Sequence, residues 1–127
     1  MTVKLTTVNK FNVREEGKGA KRYCAAVKSS GTDTLKEITV SIEKASTVSG
    51  GDIRAVLYEL VETMKHSLAE GRIIRLEDLG SFRISVKSDI AEDPTDIGPG
   101  SVRQAKIVFT PDAGLNRWLK QLKFEKL

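Results

Sequence analysis

The stretch Leu68-Ala69-Glu70-Gly71-Arg72-Ile73-Ile74-Arg75-Leu76-Glu77-Asp78-Leu79-Gly80-Ser81-Phe82-Arg83-Ile84-Ser85-Val86-Lys87 decides the fold. Before it, Ile53, Val56, Leu57, Leu60, Val61, Met64 and Leu68 stand at offsets of 3, 4, 7, 8, 11 and 15 from the first. That spacing predicts a long helix with a wide apolar stripe. Gly71 ends it, because a glycine accepts the left-handed conformation common just past a helix C-terminus. Beyond Gly71 the period becomes two. Ile74 and Leu76 alternate with Arg75 and Glu77; Phe82, Ile84 and Val86 alternate with Arg83, Ser85 and Lys87. The turn Glu77-Asp78-Leu79-Gly80 joins two strands into a hairpin with one apolar face and one polar, basic face.

Working outward, Ser49 caps the long helix and Asp52 takes its third position. Upstream, Thr34 and Glu37 have the spacing of a capping box. Leu35, Ile38 and Ile42 follow at helical spacing, and this helix ends near Ala45-Ser46. The first residues carry Val3, Leu5, Phe11 and Val13, an imperfect two-residue period. Gly17-Lys18-Gly19 reads as a turn and Tyr23 to Val27 as a returning strand. Residues 1–31 are therefore expected to form a hairpin extension, and residues 32–127 a main domain.

Downstream, residues 88–105 hold Pro94, Gly98, Pro99, Gly100 and the acids Asp89, Glu92, Asp93 and Asp96, and predict little regular structure. A strand from Lys106 to Phe109 follows, with Ile107 and Phe109 on one face. Pro111 suits the start of a last helix, where a missing amide costs little. Leu115, Trp118, Leu119 and Leu122 form that helix's stripe, and residues 123–127 a short amphipathic tail.

The chain has 127 residues, 30% charged and 39% hydrophobic, the balance of a globular domain. At this size it buries a smaller fraction of its surface than a large chain does, so pairing with a second copy would help. The formal net charge is +4. Residues 1–30 carry +5, 31–71 carry −3, 72–88 carry +2, 89–102 carry −4 and 103–127 carry +4. A basic balance favours nucleic acid or an acidic surface as partner. The single cysteine, Cys24, excludes an intramolecular disulfide and fits a reducing cytoplasm. No signal-peptide core and no apolar run of the ~20 residues needed to span a bilayer is present.

Three segments carry a resemblance to a known family. They are Leu68-Ala69-Glu70-Gly71-Arg72-Ile73-Ile74-Arg75-Leu76, Leu79-Gly80-Ser81-Phe82-Arg83-Ile84 and Phe109-Thr110-Pro111-Asp112-Ala113-Gly114-Leu115. With the order helix, helix, hairpin, arm-like segment, strand, helix, the chain resembles the HU and integration-host-factor proteins over residues 34–122. The resemblance implies an α+β fold: an intertwined homodimer with a helical base, an antiparallel saddle and β-arms, the arm falling at about residues 87–106. It implies a histone-like, nucleoid-associated architectural protein of the bacterial cytoplasm. Such a protein condenses chromosomal DNA by gripping the phosphate backbone and minor groove of the duplex, with weak sequence specificity. Ile53, Leu57, Leu60, Met64, Phe82 and Phe109 would then form the dimer core. The two helical stripes point the same way, since they cannot bury themselves within one chain.

Two departures bear on the arm. The family's tip is usually Arg-Asn-Pro-x-Thr-Gly, whose proline wedges between base steps; here Glu92-Asp93-Pro94-Thr95-Asp96-Ile97-Gly98-Pro99-Gly100 stands in its place. Carboxylates near phosphates oppose the counterion release that drives binding, although Pro94 or Pro99 could still wedge. The usual basic residue inside the Phe-x-Pro step is Thr110 here.

The candidate phosphate contacts are Arg83, Lys87, Arg103 and Lys106, with Arg72 and Arg75 next; the plain alternative is a solvated strand face. Arg72 and Arg75 follow a helix end and can complement its dipole instead. Trp118 and Phe82 fall on apolar stripes and are expected in the core. His66 lies off the long helix's stripe with no oriented partner for acid–base work. Cys24 is expected to be a packed strand residue. No Cys or His cluster has metal-ligand spacing. Gly17-Lys18-Gly19 and Gly98-Pro99-Gly100 lack the Lys-Ser/Thr step of a phosphate loop. The residues thus predict no enzyme, no metal, no cofactor, no small-molecule substrate and no membrane association. Two classes remain: a DNA architectural protein, and a protein-interaction or assembly module on the same fold with weak or lost DNA binding, whose N-terminal hairpin offers an edge for pairing.

Overall fold

The computed structural model describes residues 2–10 and 22–127. These form an α+β chain with three α-helices and two three-stranded sheets. The predicted turn Gly17-Lys18-Gly19 and the apolar pair Phe11 and Val13 lie outside the described residues.

The helical predictions hold closely. Helix α1 is Leu35–Ala45 and helix α2 is Gly50–Ala69. At the start of α1 the Thr34 backbone N–H donates to Glu37 Oε2 at 2.9 Å, and the Thr34 hydroxyl bonds the same oxygen. These bonds hold the Glu37 carboxyl below the usual glutamate pKa, the Thr34 hydroxyl contributing most. Ser49 Oγ accepts from the Asp52 N–H at 3.3 Å and caps α2. Gly71, at φ +76°, closes α2, and its N–H donates to the Leu68 carbonyl. The two helices meet where Thr39 is buried and Gly50 faces α1. A Cβ on Gly50 would lie 2.5 Å from Glu43 Oε2, the mobile end of a side chain on α1, and 3.7 Å from Thr39 Cγ2.

The sheet of the predicted hairpin has strand order β3–β4–β5. Strand β3 is Ile74–Leu76, β4 is Gly80–Ser88 and β5 is Val102–Pro111. Both junctions are antiparallel. Gly80 is obligatory: its φ is +153°, and a Cβ there would collide with the Thr110 carbonyl and come 2.7 Å from the Phe109 ring. Strand β5 is longer than the predicted Lys106 to Phe109, because pairing with β4 extends it through residues that lack their own alternation. Pro111 is not the start of the last helix but the final residue of β5, opposite Gly80 on an edge strand, where a missing donor is tolerated. Asp112 caps α3, Ala113–Leu119, by accepting from the Gly114 N–H at 3.2 Å. Leu122 therefore lies beyond the helix whose stripe it was expected to complete.

The second sheet joins the two ends of the chain. Strand β1 (Val3–Lys10) pairs antiparallel with β2 (Arg22–Val27), as the hairpin reading predicts. The residues read as a tail instead supply β6, Phe124–Lys126, which lies parallel to β1 on its other side.

Little of this chain is buried within itself. Ile53 and Leu68 are the buried apolar side chains among the described residues. Leu57, Met64 and Phe82 are half-buried. Leu60 and Phe109 are exposed, and so are Ile84, Val86 and Ile107 on the apolar face of the β3–β4–β5 sheet. Trp118, expected in the core, is 53% exposed, and Cys24, expected to be packed, is exposed.

Candidate nucleic-acid interface

The register of the β3–β4–β5 sheet sorts its side chains. Phe82 stands opposite Phe109, Ile84 opposite Ile107 and Val86 opposite Ala105. Ile74 faces Phe82 from β3. The Phe82 and Phe109 rings lie 4.9 Å apart with planes tilted by 34°, a favourable offset contact. Successive residues alternate between faces, so the opposite surface carries Arg75 beside Ser81, then Arg83 opposite Val108, Ser85 opposite Lys106 and Lys87 opposite Gln104. Arg75, Arg83, Lys87 and Lys106 thus share one exposed face, and the paired positions of that face hold no carboxylate. Lys87 and Lys106 line one open depression with Ser85, Val86 and Gln104.

Two of the six candidate cations stand apart. Arg72 lies in the turn after α2, and its backbone N–H donates to the Ser67 carbonyl at 3.2 Å. Arg103 falls where the register shifts: Lys87 pairs with Gln104 but Ser88 pairs with Val102, which leaves Arg103 unpaired in the ladder. Its guanidinium grips the Asp89 carboxylate, with Nε donating to Oδ1 at 2.7 Å and Nη2 to Oδ2. That bond raises the Arg103 pKa above its ordinary value. The cation is therefore already neutralised by a neighbour.

The loop between β4 and β5 is built more tightly than its sequence suggests. Two 3-10 turns, Pro94–Asp96 and Pro99–Ser101, each begin on a proline. Asp93 Oδ1 accepts from the Thr95 N–H at 3.0 Å, which lowers the Asp93 pKa. The Ser101 hydroxyl is buried and accepts from the Gly98 N–H at 3.1 Å. The Asp89 N–H donates to the Ser101 carbonyl at 2.9 Å and closes the loop. Two of the four acids thus hold the loop's shape. The Asp93-Pro94-Thr95 run could have signalled this, since an Asp side chain readily bonds an amide two residues on. Pro94 and Pro99 are both exposed. His66 is exposed on α2. Among the described residues no three His, Cys, Asp or Glu side chains cluster as a metal site would need. No described helix is long and apolar enough to cross a membrane.

A helical pair followed by a hairpin sheet, one face apolar and the other basic, is the arrangement that the resemblance to HU proteins implies. The family model for an HU domain fused to a wHTH, Ig or glycine-rich motif matches residues 1–126, and the chain belongs to this HU-HIG family. Among solved structures it is similar to one from Bacteroides vulgatus described as a "putative bacterial DNA binding protein". The TM-score is 0.69 at 11% identity, over 99% of this chain and 48% of that one. The likeness is one of fold, and the present chain spans about half the length of that relative. No curated protein matches the sequence.

Proposed function

We propose that this chain is an architectural DNA-binding protein that works as a homodimer and grips duplex DNA through its phosphates, with weak sequence specificity. One observation carries the reading: Arg75, Arg83, Lys87 and Lys106 share an exposed sheet face whose paired positions carry no carboxylate. Cations fixed on a rigid strand pair meet phosphates at low entropic cost, and each phosphate neutralised releases counterions. Such contacts position a protein without reading bases. A concave saddle of two such sheets requires a second copy. The exposed apolar surfaces supply the reason for one: the groove lined by Leu35, Leu57, Leu60 and Val61, and the uncovered face of Ile84, Val86, Ile107 and Phe109. Apolar surface on this scale is expected to pair rather than face water. In this reading residues 32–127 are the DNA-binding domain, Pro94 or Pro99 presents a wedge at the loop, and the protein resides on the nucleoid. The test is a salt titration of binding to random-sequence duplex. Affinity is expected to fall steeply with salt and to vary little with sequence. If nothing binds even at low ionic strength, where exposed charges reach furthest, the reading fails and an assembly role on the same fold replaces it.

A further inference from the structure

At one end of the basic sheet face three strands lie side by side, and there the register lines up a cation with two hydroxyls. Arg75 of β3 stands opposite Ser81 of β4, and Ser81 stands opposite Thr110 of β5. Adjacent strands lie about 4.8 Å apart, so Ser81 is one strand spacing from each of its neighbours in the row. Strand β3 pairs with β4 only from Gly80 to Phe82, and of those positions Ser81 alone belongs to the polar face. This is therefore the one row of that face to which three strands contribute. Arg75, Ser81 and Thr110 line a single open depression together with Asp112. Arg75 and Thr110 are exposed and Ser81 is half-buried. Among the described residues Arg75 has no ion pair, and neither hydroxyl has a hydrogen-bond partner. Asp112, the one carboxylate of the depression, is engaged as the cap of α3, its Oδ2 accepting from the Gly114 N–H at 3.2 Å.

We infer that Arg75, Ser81 and Thr110 together hold one backbone phosphate of double-stranded DNA, the two hydroxyls acting as neutral donors beside the guanidinium. The inference rests on the DNA-binding reading above and adds two uncharged residues to it. The row offers donors: the planar N–H fork of an arginine and the O–H groups of a serine and a threonine. Its complement is an anion rich in acceptor oxygens. A phosphate takes a two-point contact from the guanidinium and keeps other oxygens for the hydroxyls. Arg83 follows two residues along β4 from Ser81 on the same face, about 7 Å at strand rise, so the row continues the line of cations. The two kinds of donor differ physically. A cation that neutralises a phosphate releases counterions, and its contribution fades as salt rises. A hydroxyl releases none, so its contribution persists. Neither kind reads a base.

The test compares S81A/T110V, R75Q and R83Q/K87Q/K106Q, each in the full chain, in salt titrations on random-sequence duplex. S81A/T110V is expected to weaken binding at every salt concentration, roughly tenfold for each hydroxyl, and to keep the wild-type slope of log affinity against log salt. R75Q should instead flatten that slope by about 0.9 units. Because the three side chains share one phosphate, R75Q added to S81A/T110V should cost less than the product of the separate losses. S81T/T110S keeps both hydroxyls and should bind as the wild type does. Should S81A/T110V lose its fold, T110V alone reads the same effect at roughly tenfold. Wild-type affinity in S81A/T110V, with binding lost in R83Q/K87Q/K106Q, overturns the row and leaves the DNA reading standing. Losses that multiply in full overturn the shared phosphate. Failure of the wild-type chain to bind duplex at any salt overturns both readings.

Discussion

Arg103 is clamped by Asp89 in a two-point fork across the base of the β4–β5 loop. The partners are fourteen residues apart in sequence and meet because the strand register shifts between Lys87 and Ser88. Planar two-point contact is the geometry an arginine also uses on phosphate, so a phosphate bound by Arg103 would have to displace the carboxylate. Asp89→Asn should free the cation. Binding to random duplex should tighten, and the salt slope should steepen by about 0.9 units. Arg103→Gln should weaken binding less than Arg83→Gln does. Fluorescence anisotropy at graded salt reads both. Equal losses for the two arginines would show that the fork opens on DNA.

Lys87 and Lys106 stand on adjacent strands of the carboxylate-free face, next to each other around the Ser85–Gln104 depression. Replacing both with alanine should weaken binding on every sequence alike and flatten the salt slope by up to about two units. A change in sequence preference instead would mean that these side chains reach base edges.

Leu60 lies on the α2 stripe yet is exposed in the single chain. If a second copy covers that stripe, folding and pairing are one event. Sedimentation at micromolar concentration should then show twice the chain mass. Leu60→Glu should abolish the cooperative unfolding transition rather than release a folded monomer. A folded, soluble monomer of the wild type at that concentration contradicts the dimer.

Gly80 sits between the β3–β4 turn and Pro111 with a φ that other residues rarely adopt. Gly80→Ala adds a methyl against the Thr110 carbonyl and the Phe109 ring. The strain alone costs about 1–3 kcal/mol, and the displaced ring adds to it. Thermal unfolding should show a clear drop in midpoint, whereas Gly98→Ala, which meets nothing within 4 Å, should not.

Glu37 gives a pH signature. Its folded pKa lies below the ordinary value, because Thr34 bonds the charged form. A depressed carboxylate pKa contributes stability above the unfolded pKa of about 4.3. That contribution is lost as pH falls through the folded value. Glu37→Ala should therefore lower the thermal midpoint at neutral pH, and the gap to wild type should close in acid. A gap that persists below both pKa values would assign the effect to helix propensity alone.

Much of the fold was legible because its signals are local. The stripe from Ile53 to Leu68, the caps at Thr34 and Ser49, and Gly71 each act within a turn or two of their own position. The alternation from Ile74 to Val86 likewise states which strand face is apolar before any partner is known. The basic face formed by Arg83, Lys87 and Lys106 was accordingly readable, and Arg75 joins it through the β3–β4 register.

What the tertiary structure alone decided are the pairings between distant residues. Phe124–Lys126 is too short to announce a strand, and becomes one because β1 offers an open edge from the far end of the chain. Arg103 reads as one more cation on a returning strand until the register slips by a residue at Ser88 and delivers it to Asp89. Periodicity states how a strand divides its side chains between two faces. It carries no information on which residue lies opposite, and that depends on backbone hydrogen bonds formed between segments only once the chain has folded.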